Sequence, residues 1–168
     1  MEEFAIICVD DERDVLDALR NDLEKFSRHF RIEPAESAKD AMSLLDELQE
    51  DDVEVALVLA DHLMPGMSGV DFLIGLKDDK RTAKARKVLI TAQAGLDATI
   101  EAVNKANLDH YIRKPWTREE LHETIEQYLT AYVIEHAESP LRFSSVLDAQ
   151  KLMDATTQRD KFGSDLVD

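Results

Sequence analysis

The stretch VEVALVLADHLMPGMSG, residues 53–69, contains the pattern that decides the fold. Val53–Ala60 is almost entirely apolar, which is typical of a strand buried on both faces of a parallel sheet. The apolar run stops at Asp61, and the Pro- and Gly-containing segment 64–69 predicts a loop before a helix. This order predicts a βα unit with Asp61 at the carboxyl end of its strand.

The same alternation of short apolar runs and longer helical stretches continues on both sides of this unit. The five predicted strands are residues 4–9, 31–35, 53–60, 88–91 and 110–112. Pro34 favours an edge position for the second strand, and Thr117 with Glu120 forms a capping box before the last long helix. The pattern predicts an α/β fold with a doubly wound five-stranded parallel sheet.

A chain of 168 residues fits one domain with an appendage. We predict a main domain over residues 1–130 and a C-terminal helical extension over 131–168. The amphipathic stretch 145–157, which follows Ser139-Pro140, is too short for a core of its own. The extension could therefore be a linker to a further domain, a dimerisation segment or a cap.

Composition and charge exclude several classes of function. The chain is 44% hydrophobic and has no apolar run of the roughly 18 residues needed to span a membrane. Met1 is followed by two glutamates, unlike a signal peptide, so a cytoplasmic location is expected. The net charge of −16 makes direct binding to nucleic acid or to an anionic membrane unfavourable. The single Cys8 lies in an apolar run and is expected to be buried and inert.

Polar residues follow four of the predicted strands. They are Asp10 and Asp11, Asp61, Thr91 and Lys114. Because ligands collect at the carboxyl ends of parallel strands, these side chains should converge. Crowded carboxylates repel one another unless a cation neutralises them, and Mg²⁺ prefers such oxygen ligands. The sequence therefore predicts an Mg²⁺ ion among these carboxylates, held by Asp11 and, directly or through water, by Asp10.

These residue types suit phosphoryl transfer, which depends on positioning and on charge stabilisation. Asp61 is the candidate nucleophile, since a carboxylate can form an acyl phosphate. Lys114 would neutralise one phosphoryl oxygen, and Thr91 would donate its hydroxyl to another.

The chain resembles the receiver domain of two-component response regulators over roughly residues 4–130. The matching elements are the acidic pair in ICVDDE, Asp61 in ADHLMPGMSG, Thr91-Ala92, and YIRKP at residues 111–115. The resemblance implies a (βα)₅ flavodoxin-like receiver fold. It also implies that Asp61 accepts a phosphoryl group from a histidine kinase or a phosphotransfer protein.

The resemblance further implies roles for Leu63, Thr91 and Tyr111. Mg²⁺ would be held by Asp10, Asp11, Asp61 and the backbone carbonyl of Leu63. Thr91 with Tyr111 would form a switch pair that alters the surface of the fourth helix, fifth strand and fifth helix. The Lys114-Pro115 peptide is typically cis in this family. Such a protein assists its own phosphorylation and dephosphorylation but is not a turnover enzyme.

Several alternatives remain open at this point. Taken singly, Asp10 and Asp11 could be helix-capping acids, and Asp61 a turn residue. The whole chain could be a stand-alone phosphorelay shuttle or a pseudo-receiver that only binds protein. An aspartyl-phosphate phosphatase that uses Mg²⁺ would need an acid where Leu63 stands. The output is undetermined: a downstream effector protein, a missing output domain and a homodimer are all compatible with residues 131–168.

Overall fold

The computed structural model describes residues 2–92 and 95–165. Five strands form one parallel sheet in the order β2-β1-β3-β4-β5. The strands are β1 Glu3–Val9, β2 Phe30–Ala35, β3 Val53–Ala60, β4 Arg86–Thr91 and β5 His110–Arg113. The predicted fold class is confirmed. Pro34 lies on edge strand β2, as expected for a residue that cannot donate to a central ladder.

Six α-helices flank the sheet within the described residues. They are α1 Arg13–Asp22, α2 Ala38–Glu50, α3 Gly69–Asp78, α4 Leu96–Ala106, α5 Arg118–His136 and α6 Ala149–Asp165. Ser37, Ser68 and Thr117 cap α2, α3 and α5 by accepting a hydrogen bond from a backbone N–H three residues later. No helix in this part of the chain is long and apolar enough to cross a membrane.

Strand β1 shows how the sheet supports two cores. Phe4, Ile6 and Cys8 face α1, α5 and α6, whereas Ala5 and Ile7 face the side covered by α2, α3 and α4. Every residue from Phe4 to Val9 is buried, as the apolar run predicted. Burial raises the pKa of the Cys8 thiol to about 12, so this cysteine is not a thiolate near neutral pH.

The C-terminal extension packs on the same core as the sheet. Helix α5 continues through residue 130, the predicted domain boundary, and ends at His136. After it, a 3₁₀ turn at Pro140–Phe143 leads to α6. Phe143, Leu147 and Leu152 are buried in the cluster that contains Phe4. The division predicted at residue 130 falls inside α5 and stays a prediction.

Candidate phosphoacceptor site

Three carboxylates meet at the carboxyl edge of the sheet. Asp10 follows β1 and Asp61 follows β3, and these neighbouring strands align Val9 with Ala60. One carboxylate oxygen from each of Asp10, Asp11 and Asp61 lies within 4.8 Å of the others. Asp10 is 0% exposed and Asp61 is 5% exposed, whereas Asp11 is exposed. The predicted convergence of the acids therefore occurs, and two of them are held away from bulk water.

Backbone hydrogen bonds orient the two buried carboxylates. The backbone N–H of Glu12 donates to Oδ1 of Asp10 at 2.9 Å, and the N–H of His62 donates to Oδ1 of Asp61 at 2.9 Å. The N–H of Asp61 also donates to the carbonyl of Val9 at 2.9 Å, which continues the β1–β3 ladder. Each carboxylate is left with its other oxygen, Oδ2, turned toward the cation described next.

Lys114 supplies positive charge between these acids. Its Nζ lies 2.6 Å from Oδ2 of Asp10 and 3.6 Å from Oδ2 of Asp61, and its side chain is 14% exposed. Burial lowers the pKa of Lys114, but the hydrogen bond with Asp10 and the charges of Asp10, Asp61 and Glu12 outweigh that effect, so the pKa lies above its usual value. Lys114 is therefore a fixed cation at the site, and in this structure it is closer to Asp10 than to Asp61.

Thr91 and Tyr111 lie on neighbouring strands beside this cluster. Thr91 is buried at the end of β4, and Tyr111 in β5 is partly buried. The Tyr111 hydroxyl donates a long hydrogen bond of 3.4 Å to the carbonyl of Thr91. The backbone N–H of Lys114 donates to the same carbonyl at 3.2 Å. Thr91 thus connects the tyrosine to the lysine through its backbone.

The Asp61 loop depends on a glycine that the sequence reasoning did not select. A Cβ atom at Gly69 would lie 1.8 Å from the carbonyl oxygen of Asp61. The N–H of Gly69 donates to the carbonyl of His62 at 2.9 Å, which folds the start of α3 back onto the end of β3. The sequence signal for this role is a glycine at the first position of α3, directly after the capping Ser68. Only a residue without a side chain allows this close approach.

The family model described as response regulator receiver domain matches residues 6–126. The chain belongs to this family. Receiver domains of two-component systems accept phosphoryl groups, typically with Mg²⁺, and are generally not enzymes in the usual sense. The fold and the carboxylate cluster of this chain agree with that family.

Individual relatives and structures support the assignment. The chain is 30% identical to the chemotaxis protein CheY-3 of Vibrio cholerae over 73% of this chain and 88% of that protein. It is 33% identical to the hydrogenase transcriptional regulatory protein HoxA of Cupriavidus necator over 77% of this chain but only 25% of HoxA, so it spans a quarter of that relative. A CheY-like receiver domain protein from Methanospirillum hungatei superposes with a TM-score of 0.68 at 26% identity, covering 81% of this chain and 100% of that chain.

The receiver site brings together most of the residues selected from the sequence. Asp10, Asp11, Asp61 and Lys114 lie in one cluster, with Thr91 linked to Lys114 through the backbone. The side chain of Leu63 is 55% exposed on the loop that follows Asp61, and the role of its carbonyl stays a prediction. The Lys114-Pro115 peptide is cis, as the resemblance implied.

Proposed function

We propose that this receiver is operated by phosphorylation of Asp61, with a histidine kinase or a phosphotransfer protein as the donor. The observation that carries the proposal is the nearly buried Asp61 carboxylate beside the Lys114 ammonium, 3.6 Å away. An Asp61 oxygen would form a bond to phosphorus while the bond from phosphorus to the histidine nitrogen breaks. The departing nitrogen keeps the bonding electron pair, and a proton on the other ring nitrogen of the phosphohistidine makes the leaving group a neutral imidazole.

The donor set fits a divalent cation. The described residues contain one cluster of potential metal ligands, and all its members are carboxylates, the ligand type that Mg²⁺ prefers. We propose that Asp10, Asp11 and Asp61 hold Mg²⁺, together with the backbone carbonyl of Leu63. When bound, Mg²⁺ would neutralise phosphoryl oxygens during transfer. Lys114 would neutralise a phosphoryl oxygen directly, and the Thr91 hydroxyl would donate to another.

The output is proposed to be a change of the surface formed by α4, β5 and α5. The Tyr111 hydroxyl donates a hydrogen bond to the Thr91 carbonyl. A movement of Thr91 toward a phosphoryl group would therefore change this contact and shift the Tyr111 side chain of β5. The outer face of α4 exposes Ile100 and Val103 at 48% and 51%, which offers apolar area to a partner. The partner would be a downstream effector protein or an effector domain. Direct binding to nucleic acid remains disfavoured by the charge of −16.

The test is phosphorylation by a small donor. The full chain is incubated with acetyl phosphate and Mg²⁺, and the intact mass is followed over time. We expect one phosphoryl group per chain, no labelling after chelation of Mg²⁺, and loss of labelling in Asp61→Asn. The variant Asp71→Asn, which changes an exposed acid of α3, is the matched control and should label normally. Undiminished labelling of Asp61→Asn would reject the proposal.

A further inference from the structure

Asp22, at the end of α1, is contacted by one side chain from the turn before α5 and by two from the first turns of α5. Trp116 Nε1 donates to Oδ2 of Asp22 at 2.8 Å, and Arg118 Nε donates to Oδ1 at 3.0 Å. His122 Nε2 lies 2.5 Å from the carbonyl oxygen of the same residue. The Asp22 side chain is only 17% exposed. A single acid therefore joins α1 to the turn that precedes α5.

The helix end itself does not favour an acid at this position. A carboxylate at a helix C-terminus faces the negative end of the helix dipole, which disfavours it. The contacts from Trp116 and Arg118 offset that cost. Arg118 is 62% exposed, and an ion pair so open to solvent contributes little. The hydrogen bond from Trp116, whose partly buried ring packs against the core, is the more important of the two.

Trp116 is separated from Lys114 by one residue. On one side of this turn, the Lys114 backbone N–H is held by the Thr91 carbonyl at 3.2 Å. On the other side, Trp116 is held by Asp22 at 2.8 Å. The turn that carries Lys114 is thus fixed at both ends, and Nζ of Lys114 reaches Oδ2 of Asp10 at 2.6 Å. Loss of either attachment would let the lysine move relative to the two carboxylates.

We infer that Asp22 is a positioning residue for phosphorylation, which acts through Trp116 to hold Lys114 at the site. This inference rests on the proposed function. Asp22 lies on α1 and has no described contact with Asp10, Asp11 or Asp61. Its effect would therefore appear in the rate of phosphoryl transfer and not in the identity of the acceptor.

The primary experiment compares labelling rates by acetyl phosphate and Mg²⁺ under conditions where each variant is folded. Asp22→Ala should be labelled about tenfold more slowly than the natural chain, because a small displacement of a positioned catalytic group lowers the reaction rate by about this factor or more. Asp22→Asn retains an acceptor for the indole N–H and should stay within about twofold. Asp17→Ala removes the same charge from an exposed position of the same helix and is the matched control.

A second pair of variants separates positioning from general stability. Trp116→Phe removes the donor but keeps an apolar ring, so it should slow labelling as much as Asp22→Ala does. If Asp22 acts through Trp116, the double variant should be no slower than either single variant. Trp116→Phe also provides the test if Asp22→Ala does not fold.

The outcomes distinguish this inference from the proposed function. A natural chain that cannot be labelled at all counts against the proposed function. A natural chain that is labelled, with Asp22→Ala and Trp116→Phe labelled equally fast but melting at lower temperature, would overturn the positioning role alone. Slow labelling in both variants, with Asp22→Asn restored, would support it.

Discussion

The carboxyl ends and the amino ends of the strands bury different kinds of side chain; we call them the acidic edge and the aromatic edge of the sheet. At the carboxyl edge, burial encloses charge: Asp10 and Asp61 are withdrawn from water beside Lys114. At the amino edge, burial encloses aromatic rings. Phe143 of the extension lies 5.9 Å from Phe4 and 5.2 Å from Phe30, measured between ring centroids. The first edge is suited to chemistry and the second to stability.

The contrast follows from the energetics of burial. Withdrawing like charges from water costs free energy, and an ion pair recovers only part of it. Burying apolar rings contributes free energy through both area and packing. We infer that burial of the aromatic rings, to which the C-terminal extension contributes Phe143, offsets the free energy that burial of Asp10 and Asp61 costs. Changes at the two edges should therefore separate stability from phosphorylation.

The largest expected effect is at the aromatic edge. Phe143→Ala should lower the free energy of unfolding by about 4 kcal/mol, because it leaves a cavity beneath β1 and β2. Urea unfolding measures this loss, and the folded variant should still be labelled by acetyl phosphate. The control is Leu141→Ala, whose side chain is 43% exposed in the same 3₁₀ turn. Equal losses for the two variants would mean that the extension does not share the core.

The second largest loss of stability is expected at Gly69, where an added side chain would push on the backbone of Asp61. Gly69→Ala places a Cβ atom against the Asp61 carbonyl and should cost about 3 kcal/mol, because backbone must move to admit it. The same movement should slow labelling of Asp61, so this variant should lose both stability and phosphorylation. Gly75→Ala is the matched control: it lies in the same helix with open space around it and should be stabilising by about 0.5 kcal/mol. Normal labelling of Gly69→Ala would show that the loop position is not critical.

A smaller effect is expected from the cation of the acidic edge. Because its pKa is raised in the folded chain, Lys114 stabilises fully below the ordinary lysine value of about 10.4 and loses this contribution as the pH rises through its folded pKa. Lys114→Met should thus be less stable by about 2 kcal/mol near neutral pH. The difference should shrink in alkali, as measured by urea unfolding without Mg²⁺.

The control for this titration is Lys105→Met. Lys105 is 67% exposed and, among the described residues, forms an ion pair with Glu101 at 3.8 Å, so its removal should change stability little at any pH. A deficit for Lys114→Met that stays constant into alkali would mean that packing, not charge, explains it.

The smallest effect is expected from a hydrogen bond at the aromatic edge. Tyr132 is buried against Phe4, and its hydroxyl donates to Oε2 of Glu54 at 3.3 Å. Burial and the Glu54 charge raise the pKa of Tyr132 well above its ordinary value. Tyr132→Phe should cost about 1 kcal/mol in urea unfolding and leave labelling unchanged. A much larger cost would show that this edge also depends on polar contacts.

The acidic edge was largely predictable from sequence, and the aromatic edge was not. Asp10 and Asp61 directly follow apolar runs, and Lys114 comes two positions after the predicted strand 110–112. Parallel strands bring their carboxyl ends together by geometry. By contrast, the contact of Phe143 with Phe4 joins residues far apart in the chain, and no local pattern reports it. The same holds for Asp22 with Trp116. Lys114 Nζ lies 2.6 Å from Asp10 Oδ2 and 3.6 Å from Asp61 Oδ2, and so small a difference in distance cannot be predicted from the order of residues.

The position of the phosphoryl group tests the phosphorylation of Asp61 most directly. The chain is treated with acetyl phosphate and Mg²⁺, reduced with borohydride to convert an acyl phosphate to an alcohol, and mapped by peptide mass spectrometry. We expect homoserine at residue 61 and aspartate at residues 10 and 11. Homoserine at residue 10 or 11, or unmodified Asp61 in a chain that carries the label, would contradict phosphorylation of Asp61.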